Sequence, residues 1–174
     1  MKIKINGTDF ELPAGLNAAL QAVLDAAMAA ERESLSEQKS PFARGKIGDT
    51  YYYIKPNGAV EEDKDVDNWV DGECFAVANY CTDRAMMEQR ALHETLNRLL
   101  WRYSVEHGGD KQPWNGDANH WYIGKNKMAG QIDLGSHYAI QPQGAIYFPD
   151  KQTAQAAIHD VVEPFIAAHP EFVW

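Results

Sequence analysis

The sequence contains few cysteines and no long apolar run. Cys74 and Cys81 are its two cysteines, too few for the disulfide framework of a small secreted protein. Residues 1–13 lack the apolar core of a signal peptide, and polar side chains interrupt the alanine-rich stretch over residues 18–30. We therefore expect free, buried thiols and a cytoplasmic protein without a membrane anchor.

Basic residues are also scarce relative to acidic ones. The chain has 25 aspartates and glutamates against 16 lysines and arginines, a formal net charge of −9. Such a field repels phosphate backbones and attracts basic surfaces. The charge therefore argues against nucleic acid as a direct partner, and it suits a protein partner that has a basic surface.

The motifs of common catalytic and metal sites are missing. The chain has no G-x-S-x-G elbow, no P-loop and no G-x-G-x-x-G turn. His93 and Glu94 begin like the helix of a zinc peptidase, but Asn97 stands where that motif needs its second histidine. We interpret His159 and Asp160 as a surface pair on a helix rather than half of a catalytic triad. The sequence therefore predicts no catalytic residue and no cofactor, in a protein that is not an enzyme.

Two segments of the chain are similar to each other. Residues 51–90 and 120–158 each have the pattern of a strand, a turn, a second strand, a loop, a third strand and a helix. The alignment pairs Tyr52 with Trp121, Tyr53 with Tyr122, Ile54 with Ile123, Val60 with Ile132, Tyr80 with Tyr147, Cys81 with Phe148, and Asp83 with Asp150. The two helices align only after a one-residue phase change, so a chance similarity stays open.

The sequence therefore predicts an α+β fold built from two βββα-like units, each an antiparallel sheet with a packed helix. An N-terminal β-hairpin and helix over residues 1–40 precede these units, with an Asn-Gly pair as the hairpin turn and a helix over about residues 15–37. The first unit spans residues 48–108 and the second spans residues 118–174. We expect all of these parts to form one compact domain.

Further details of the two units follow from local signals. The third strands are predicted at residues 74–80 and 144–148. Thr82 or Asp83 is expected to cap the helix of the first unit. Pro164 is expected to bend or end the last helix early, because proline lacks a donor and crowds the preceding turn.

The segment over residues 61–73 is predicted to be an acidic loop. Aspartates stand at positions 1, 3, 5 and 9 of a twelve-residue calcium loop, namely Asp63, Asp65, Asp67 and Asp71. The rest of that pattern is absent, because Asn68 stands where the loop needs glycine and Cys74 stands where it needs glutamate. A solvated acidic loop is therefore favoured over a calcium site.

An acidic contact surface is the third interpretation of this segment. Trp69 lies among the carboxylates, and tryptophan is enriched at the hot spots of protein interfaces. Trp114, in the polar linker between the two units, is a second aromatic candidate. The residues predicted to contact a partner are Glu61, Glu62, Asp63, Asp65, Asp67, Trp69, Asp71 and Trp114.

Aromatic residues cluster on the first strand of each unit. They are Tyr51, Tyr52, Tyr53, Trp121 and Tyr122. One face of such a strand must be core, and the other offers a stacking platform for a small ligand or for the bases of single-stranded nucleic acid. Such platforms lie in positively charged grooves, whereas the charge here is acidic. We therefore favour cross-strand packing and contact with a partner.

Several short motifs lie within residues 48–160. They are YYYI at residues 51–54, Gly58 with Val60, ANYCTD at residues 78–83, and Glu88 in the following helix. Together they resemble a pattern common in small phage and prophage proteins, many of unknown function, and residues 121–157 are similar to the second half of those proteins. Ala78, Cys81 and Met87 depart from the pattern, where glycine, phenylalanine and alanine are usual. None of these positions is a catalytic residue of the family, so the resemblance implies no site residues.

We therefore predict a non-enzymatic, acidic, phage- or prophage-type protein that binds another protein with a basic surface, in the host cytoplasm if it is phage-encoded. One version is an inhibitor of a host defence nuclease that presents carboxylates where the nuclease binds phosphates. The alternative is a small-ligand or single-stranded nucleic-acid binding module that uses the sheet aromatics. An unrecognised enzyme is the second alternative, and a homodimer stays open as well.

Overall fold

The computed structural model describes residues 2–5, 8–11, 14–37, 40–109, 111–126 and 128–174. The chain divides into two units, Met1–Ala43 and Arg44–Trp174, and each is described by itself. Within the described residues, no helix has the length and the apolar character needed to cross a membrane.

The first unit is a hairpin followed by a long helix. Strand β1 (Lys2–Ile5) pairs antiparallel with β2 (Thr8–Glu11), and helix α1 (Ala14–Glu37) follows. These elements confirm the predicted hairpin and helix, while the Asn-Gly pair predicted to form the turn lies outside the described residues. Alanine-rich sequence favours α1 because alanine loses no side-chain entropy in a helix.

The second unit begins with a hairpin of strands β3 (Thr50–Ile54) and β4 (Val60–Lys64). The strands pair antiparallel, with Tyr52 opposite Glu62. Gly58 lies in the turn with φ of 88°, a left-handed conformation that glycine adopts without a steric penalty. This hairpin confirms the first two strands predicted within residues 48–108.

Two helices follow this hairpin, α2 (Trp69–Ala76) and α3 (Arg84–Glu106). The strand predicted at residues 74–80 is therefore wrong, because α2 occupies the start of that segment. Asn68 caps α2: its side chain accepts hydrogen bonds from the backbone N–H groups of the first turn, while the Asp71 carboxylate accepts from the Asn68 N–H. This reciprocal capping box starts a helix in a run of apolar residues that sequence alone does not distinguish from a buried strand.

The second hairpin consists of β5 (His120–Asn126) and β6 (Gln131–His137), paired antiparallel. The strand predicted at residues 144–148 is reduced to one bridge, between Trp121 and Phe148. Gly144 has φ of 78°, which takes the backbone out of the extended region where that strand was expected to begin.

The last helical stretch contains α4 (Lys151–Ala157), a π-helical turn (Ile158–Val162) and α5 (Glu163–Ala168). Pro164 cannot donate a hydrogen bond, and its ring crowds the carbonyl four residues earlier. The wider π-turn relieves that crowding, and the Glu163 N–H bonds to the Ile158 carbonyl five residues back. The helix is therefore perturbed where proline was predicted to act, but it continues beyond Pro164.

The aligned positions of the two similar segments have matching backbone roles. Tyr52 forms an isolated antiparallel bridge with Cys81, as Trp121 does with Phe148. The side chains of the aligned aspartates, Asp83 and Asp150, cap α3 and α4. The fold is thus α+β, as predicted, but each segment is a hairpin, a single bridge and a capped helix rather than a βββα unit.

Helix α3 packs against the β3–β4 hairpin and against the β5–β6 hairpin, which are called the first and second hairpins below. One buried cluster joins its N-terminal half to the first hairpin, through Ile54, Cys81, Met87 and Ala91. The larger cluster joins its C-terminal half to the second hairpin and the last helices, through Leu96, Leu100, Phe148, Ala154, Ala157, Val162 and Phe165. Helix α3 therefore packs against one face of the first hairpin. Helix α2 contacts the opposite face, where the Tyr51 hydroxyl donates a hydrogen bond to Asp71.

Candidate functional site

The acidic segment over residues 61–73 is not one loop. It contains most of β4, a tight connection, and the first turns of α2. Its carboxylates consequently lie in different environments, some buried and some exposed. Only the exposed ones can meet a partner.

Asp65 is a buried anchor, with 1% of its surface exposed. Its carboxylate accepts hydrogen bonds from Arg44 at 3.0 and 3.3 Å, from the Tyr80 hydroxyl at 3.1 Å and from the Asp67 N–H at 2.9 Å. The Arg44 guanidinium holds the pKa of Asp65 below its ordinary value, against burial, which raises it. Asp65 therefore fixes the connection between β4 and α2.

Asp71 is the second buried anchor, also 1% exposed. It accepts hydrogen bonds from the Tyr51 hydroxyl at 2.9 Å, from the Val66 N–H at 2.9 Å and from the Asn68 N–H at 3.1 Å. Burial raises the pKa of Asp71, but the Val66 and Asn68 amides and the Tyr51 hydroxyl outweigh it and lower that pKa below its ordinary value. A buried carboxylate with these donors is satisfied without a ligand.

Two of the predicted contact residues are thus corrected, because Asp65 and Asp71 point into the protein. The same burial removes two of the four aspartates from the calcium pattern. Within the described part of the chain, no group of three or more histidine, cysteine, aspartate or glutamate side chains is placed to hold a metal ion. The acidic segment is held together by internal hydrogen bonds.

The remaining acids of the segment are exposed. Glu61 pairs with Lys55 at 2.9 Å and accepts from the Tyr53 hydroxyl at 2.9 Å, and these contacts lower its pKa, with Lys55 contributing most. Asp67 pairs with Arg44 at 2.8 Å and keeps most of its side chain in solvent. Glu62 and Asp63 are exposed on β4. These four carboxylates remain candidates for contact with a partner.

Trp69 is the most exposed of the large apolar side chains of α2, with 74% of its surface accessible. It is the first residue of the helix, next to the Asn68 cap, so its backbone is fixed on both sides. Val66, Val70 and Val77 are also exposed around this short helix. Sequence reasoning missed Val77 because the strand predicted at residues 74–80 placed it in the core, and it missed Val66 and Val70 because the interpretation of residues 61–73 considered only the carboxylates and Trp69.

We name this region the β4–α2 surface. It consists of the exposed residues Glu61, Glu62, Asp63, Val66, Asp67, Trp69, Val70 and Val77. It combines exposed apolar side chains with carboxylates on a scaffold of buried hydrogen bonds. Chemically, it can bury an aromatic anchor against a partner and pair with basic groups around it.

Trp114 does not have the exposure of Trp69. Its ring is half-buried and stacks on His120, with centroids 3.6 Å apart and planes 6° from parallel. Tyr147 meets both rings edge-on. Trp114 is therefore a packing residue of the second hairpin, which corrects its predicted role as an exposed aromatic contact.

The strand aromatics also pack within the protein. Tyr51 is buried and stacks on Tyr80 with centroids 4.2 Å apart. Tyr122 stacks on His137 at 4.8 Å, and the remaining aromatics of the two first strands are half-buried. Arg84 and Lys151 lie over the rings of Tyr52 and Trp121, and Tyr53 contacts Tyr51, so these aromatic rings already have contacts within the protein.

Of the two thiols expected to be buried, Cys81 is buried and Cys74 is half-buried. Burial, followed by the neighbouring Asp71 charge, raises the pKa of the Cys74 thiol, which disfavours the reactive thiolate. His159 lies 3.1 Å from Glu163, while Asp160 accepts a hydrogen bond from Tyr103. His159 and Asp160 therefore have separate partners, which corrects their interpretation as a pair.

Comparison with known proteins gives no relative: no family model, no curated protein and no solved structure matches this chain. The resemblance to phage and prophage proteins stays a prediction from short motifs.

Proposed function

We propose that this protein acts by binding another protein, through the β4–α2 surface, and that the partner presents a basic surface. The observation that supports this most is Trp69, a large apolar side chain held in solvent at a fixed helix start. Tryptophan has few rotatable bonds, so it buries a large area on binding at a small cost in side-chain entropy.

The scaffold beneath the surface supports the same proposal. Asp65 and Asp71 tie the segment to Arg44, Tyr80 and Tyr51 through buried hydrogen bonds. The exposed side chains are thus carried on a backbone that needs little ordering when a partner arrives. Such preorganisation reduces the free-energy cost of association.

The charge of the surface selects the class of partner. Glu61, Glu62, Asp63 and Asp67 are exposed, in a chain of net charge −9. An acidic surface and a basic surface attract each other before contact. This attraction raises the rate of association, most strongly at low ionic strength. A nuclease with a basic cleft for phosphates fits this chemistry, and with the phage-type resemblance it is the version of the proposal that we favour.

Matched tryptophan variants test the proposal. Trp101 on α3 is 64% exposed, similar to Trp69, and lies outside the β4–α2 surface. We expect wild-type protein and Trp101→Ala to capture the same basic protein from a host lysate, and Trp69→Ala to lose it. Equal capture by both variants would contradict the proposal.

The charge variants must leave the buried anchors intact. Replacing Asp65 or Asp71 would disturb the fold and confuse the result, because both are buried. Glu61→Gln combined with Asp63→Asn removes two exposed charges and keeps similar side-chain shapes. We expect this double variant to capture less of the partner, and its capture to depend less on salt concentration. Glu106→Gln, at an exposed site at the end of α3, is the control.

A further inference from the structure

Strand β3 is covered on the edge that faces away from β4. The Tyr52 N–H donates to the Cys81 carbonyl at 2.7 Å, and the Cys81 N–H donates to the Tyr52 carbonyl at 3.1 Å. The Asn79 side-chain amide continues this edge: its oxygen accepts from the Ile54 N–H at 2.8 Å and its nitrogen donates to the Ile54 carbonyl at 3.0 Å. The backbone groups of Tyr52 and Ile54 therefore point away from β4.

Among the described residues, no strand pairs with the opposite edge of the hairpin, along β4. Residues paired in an antiparallel ladder alternate between hydrogen-bonded and non-hydrogen-bonded pairs. Tyr52 uses its backbone N–H and carbonyl to bond to Cys81, so Tyr52 and Glu62 are a non-hydrogen-bonded pair. The N–H and carbonyl of Glu62 therefore point outward from β4, away from β3. The described residues pair β4 with β3 alone, and residues 61–64 are all exposed.

The side chains of β4 determine what this edge can pair with. Glu61 and Asp63 lie on one face of the strand, and Glu62 and Lys64 lie on the other. A second copy of β4, paired antiparallel about Glu62, would place Glu62 opposite Glu62 and Glu61 opposite Asp63, which is unfavourable. An extended segment with basic residues at alternate positions would place positive charges beside Glu61 and Asp63 while its backbone bonds to Glu62.

We propose that β4 binds its partner by strand addition, taking an extended basic segment of that protein as a third strand of the β3–β4 sheet. This inference rests on the proposed function and deepens it. Main-chain hydrogen bonds to the Glu62 edge provide affinity, and the alternating carboxylates select basic side chains. Trp69 lies beyond the end of β4, where it would contact the rest of the partner.

A proline variant isolates the backbone contribution. Glu62→Pro removes the outward N–H, whereas Glu62→Thr removes the same charge and keeps that N–H. Proline is tolerated on an edge strand where the N–H faces solvent, so both variants should fold. The probe is a short synthetic peptide in which lysine and valine alternate, added at roughly 1 mM to detect weak binding.

We expect the peptide to slow amide hydrogen exchange at Glu62 in wild-type protein. Glu62→Pro should bind at least about tenfold more weakly than Glu62→Thr. N-methylation of alternate peptide amides should also abolish binding, because it blocks the bonds to β4. Failure of the peptide to protect Glu62, or equal affinity of the two variants, would overturn strand addition.

The failure of this inference can be distinguished from failure of the proposed function. If strand addition is wrong and the proposed function is right, Trp69→Ala still loses the captured partner while Glu62→Pro and Glu62→Thr both retain it equally. If Trp69→Ala retains the partner as well, the β4–α2 surface is not the binding site and both proposals fall.

Discussion

At the scale of single residues, burial separates carboxylates that the sequence presents as one group. Asp63, Asp65, Asp67 and Asp71 lie close together along the chain, yet two are buried and two are exposed. The buried pair provides acceptors for backbone amides and for Arg44, Tyr80 and Tyr51. Sequence composition records the charges, but which of them face inward depends on where α2 begins.

Asp71→Asn should destabilise the protein by about 2 kcal/mol, because the new amide nitrogen faces groups that already donate hydrogen bonds. Urea unfolding measures the change in the free energy of unfolding. Asp63→Asn, at an exposed position of β4, is the control and should stay within about 0.5 kcal/mol of wild type. Equal effects of the two substitutions would show that Asp71 is not an anchor.

The same carboxylates predict how stability depends on pH. The folded-state pKa values of Asp65 and Asp71 are lowered, so the unfolded chain binds more protons in the acidic range. Their contribution is fully present above the unfolded-state value of about 4 and is lost as the pH falls through the folded-state values. Urea unfolding at a series of pH values should show this loss in wild type and a shallower one in Asp71→Asn. An unchanged slope in the variant would contradict the assignment.

At the scale of secondary structure, the sequence predicts elements with strong local signals. The first hairpin, α1 and the start of α3 at Asp83 follow from turn residues, helical periodicity and a cap. Helix α2 was missed because its apolar run has no clear period, although the Asn68–Asp71 spacing of the capping box was a usable signal. The exposed valines could not be predicted, because exposure depends on how α2 packs.

Two glycines with different surroundings test the packing of these elements. A Cβ atom at Gly109 would lie 2.5 Å from the Tyr147 carbonyl oxygen, whereas one at Gly72 in α2 would have no atom within 4 Å. Gly109→Ala should therefore destabilise the protein by about 2 kcal/mol or more. Gly72→Ala should stabilise α2 by about 0.5–1 kcal/mol, because alanine is the better helix former. Thermal unfolding distinguishes them, and similar shifts for the two variants would contradict the described packing.

At the scale of the whole molecule, the two similar segments share a scaffold, and the differences between them mark the candidate site. The β3–β4 and β5–β6 hairpins each form one antiparallel bridge to the residues just before a capped helix, which is α3 for the former and α4 for the latter. Within the described part of these two segments, only the β3–β4 hairpin is followed by a short helix that exposes a tryptophan among carboxylates. The proposed function therefore depends on a feature that the first of the two similar segments has and the second lacks.

The charge of the whole chain also predicts a negative result. With a net charge of −9 and with its strand aromatics packed or half-buried, the protein should pass over single-stranded DNA resin without retention, even at low salt. Chromatography at increasing ionic strength measures this. Retention that weakens as salt rises would favour the nucleic-acid alternative instead.

The central claim is that Trp69 anchors a basic protein partner on the β4–α2 surface. Its most direct test is the equilibrium affinity of the captured partner for wild type, Trp69→Ala and Trp101→Ala, measured by calorimetry at two salt concentrations. We predict a loss of about 2 kcal/mol or more for Trp69→Ala, no change for Trp101→Ala, and weaker wild-type binding at higher salt. Unchanged affinity of Trp69→Ala would contradict the claim.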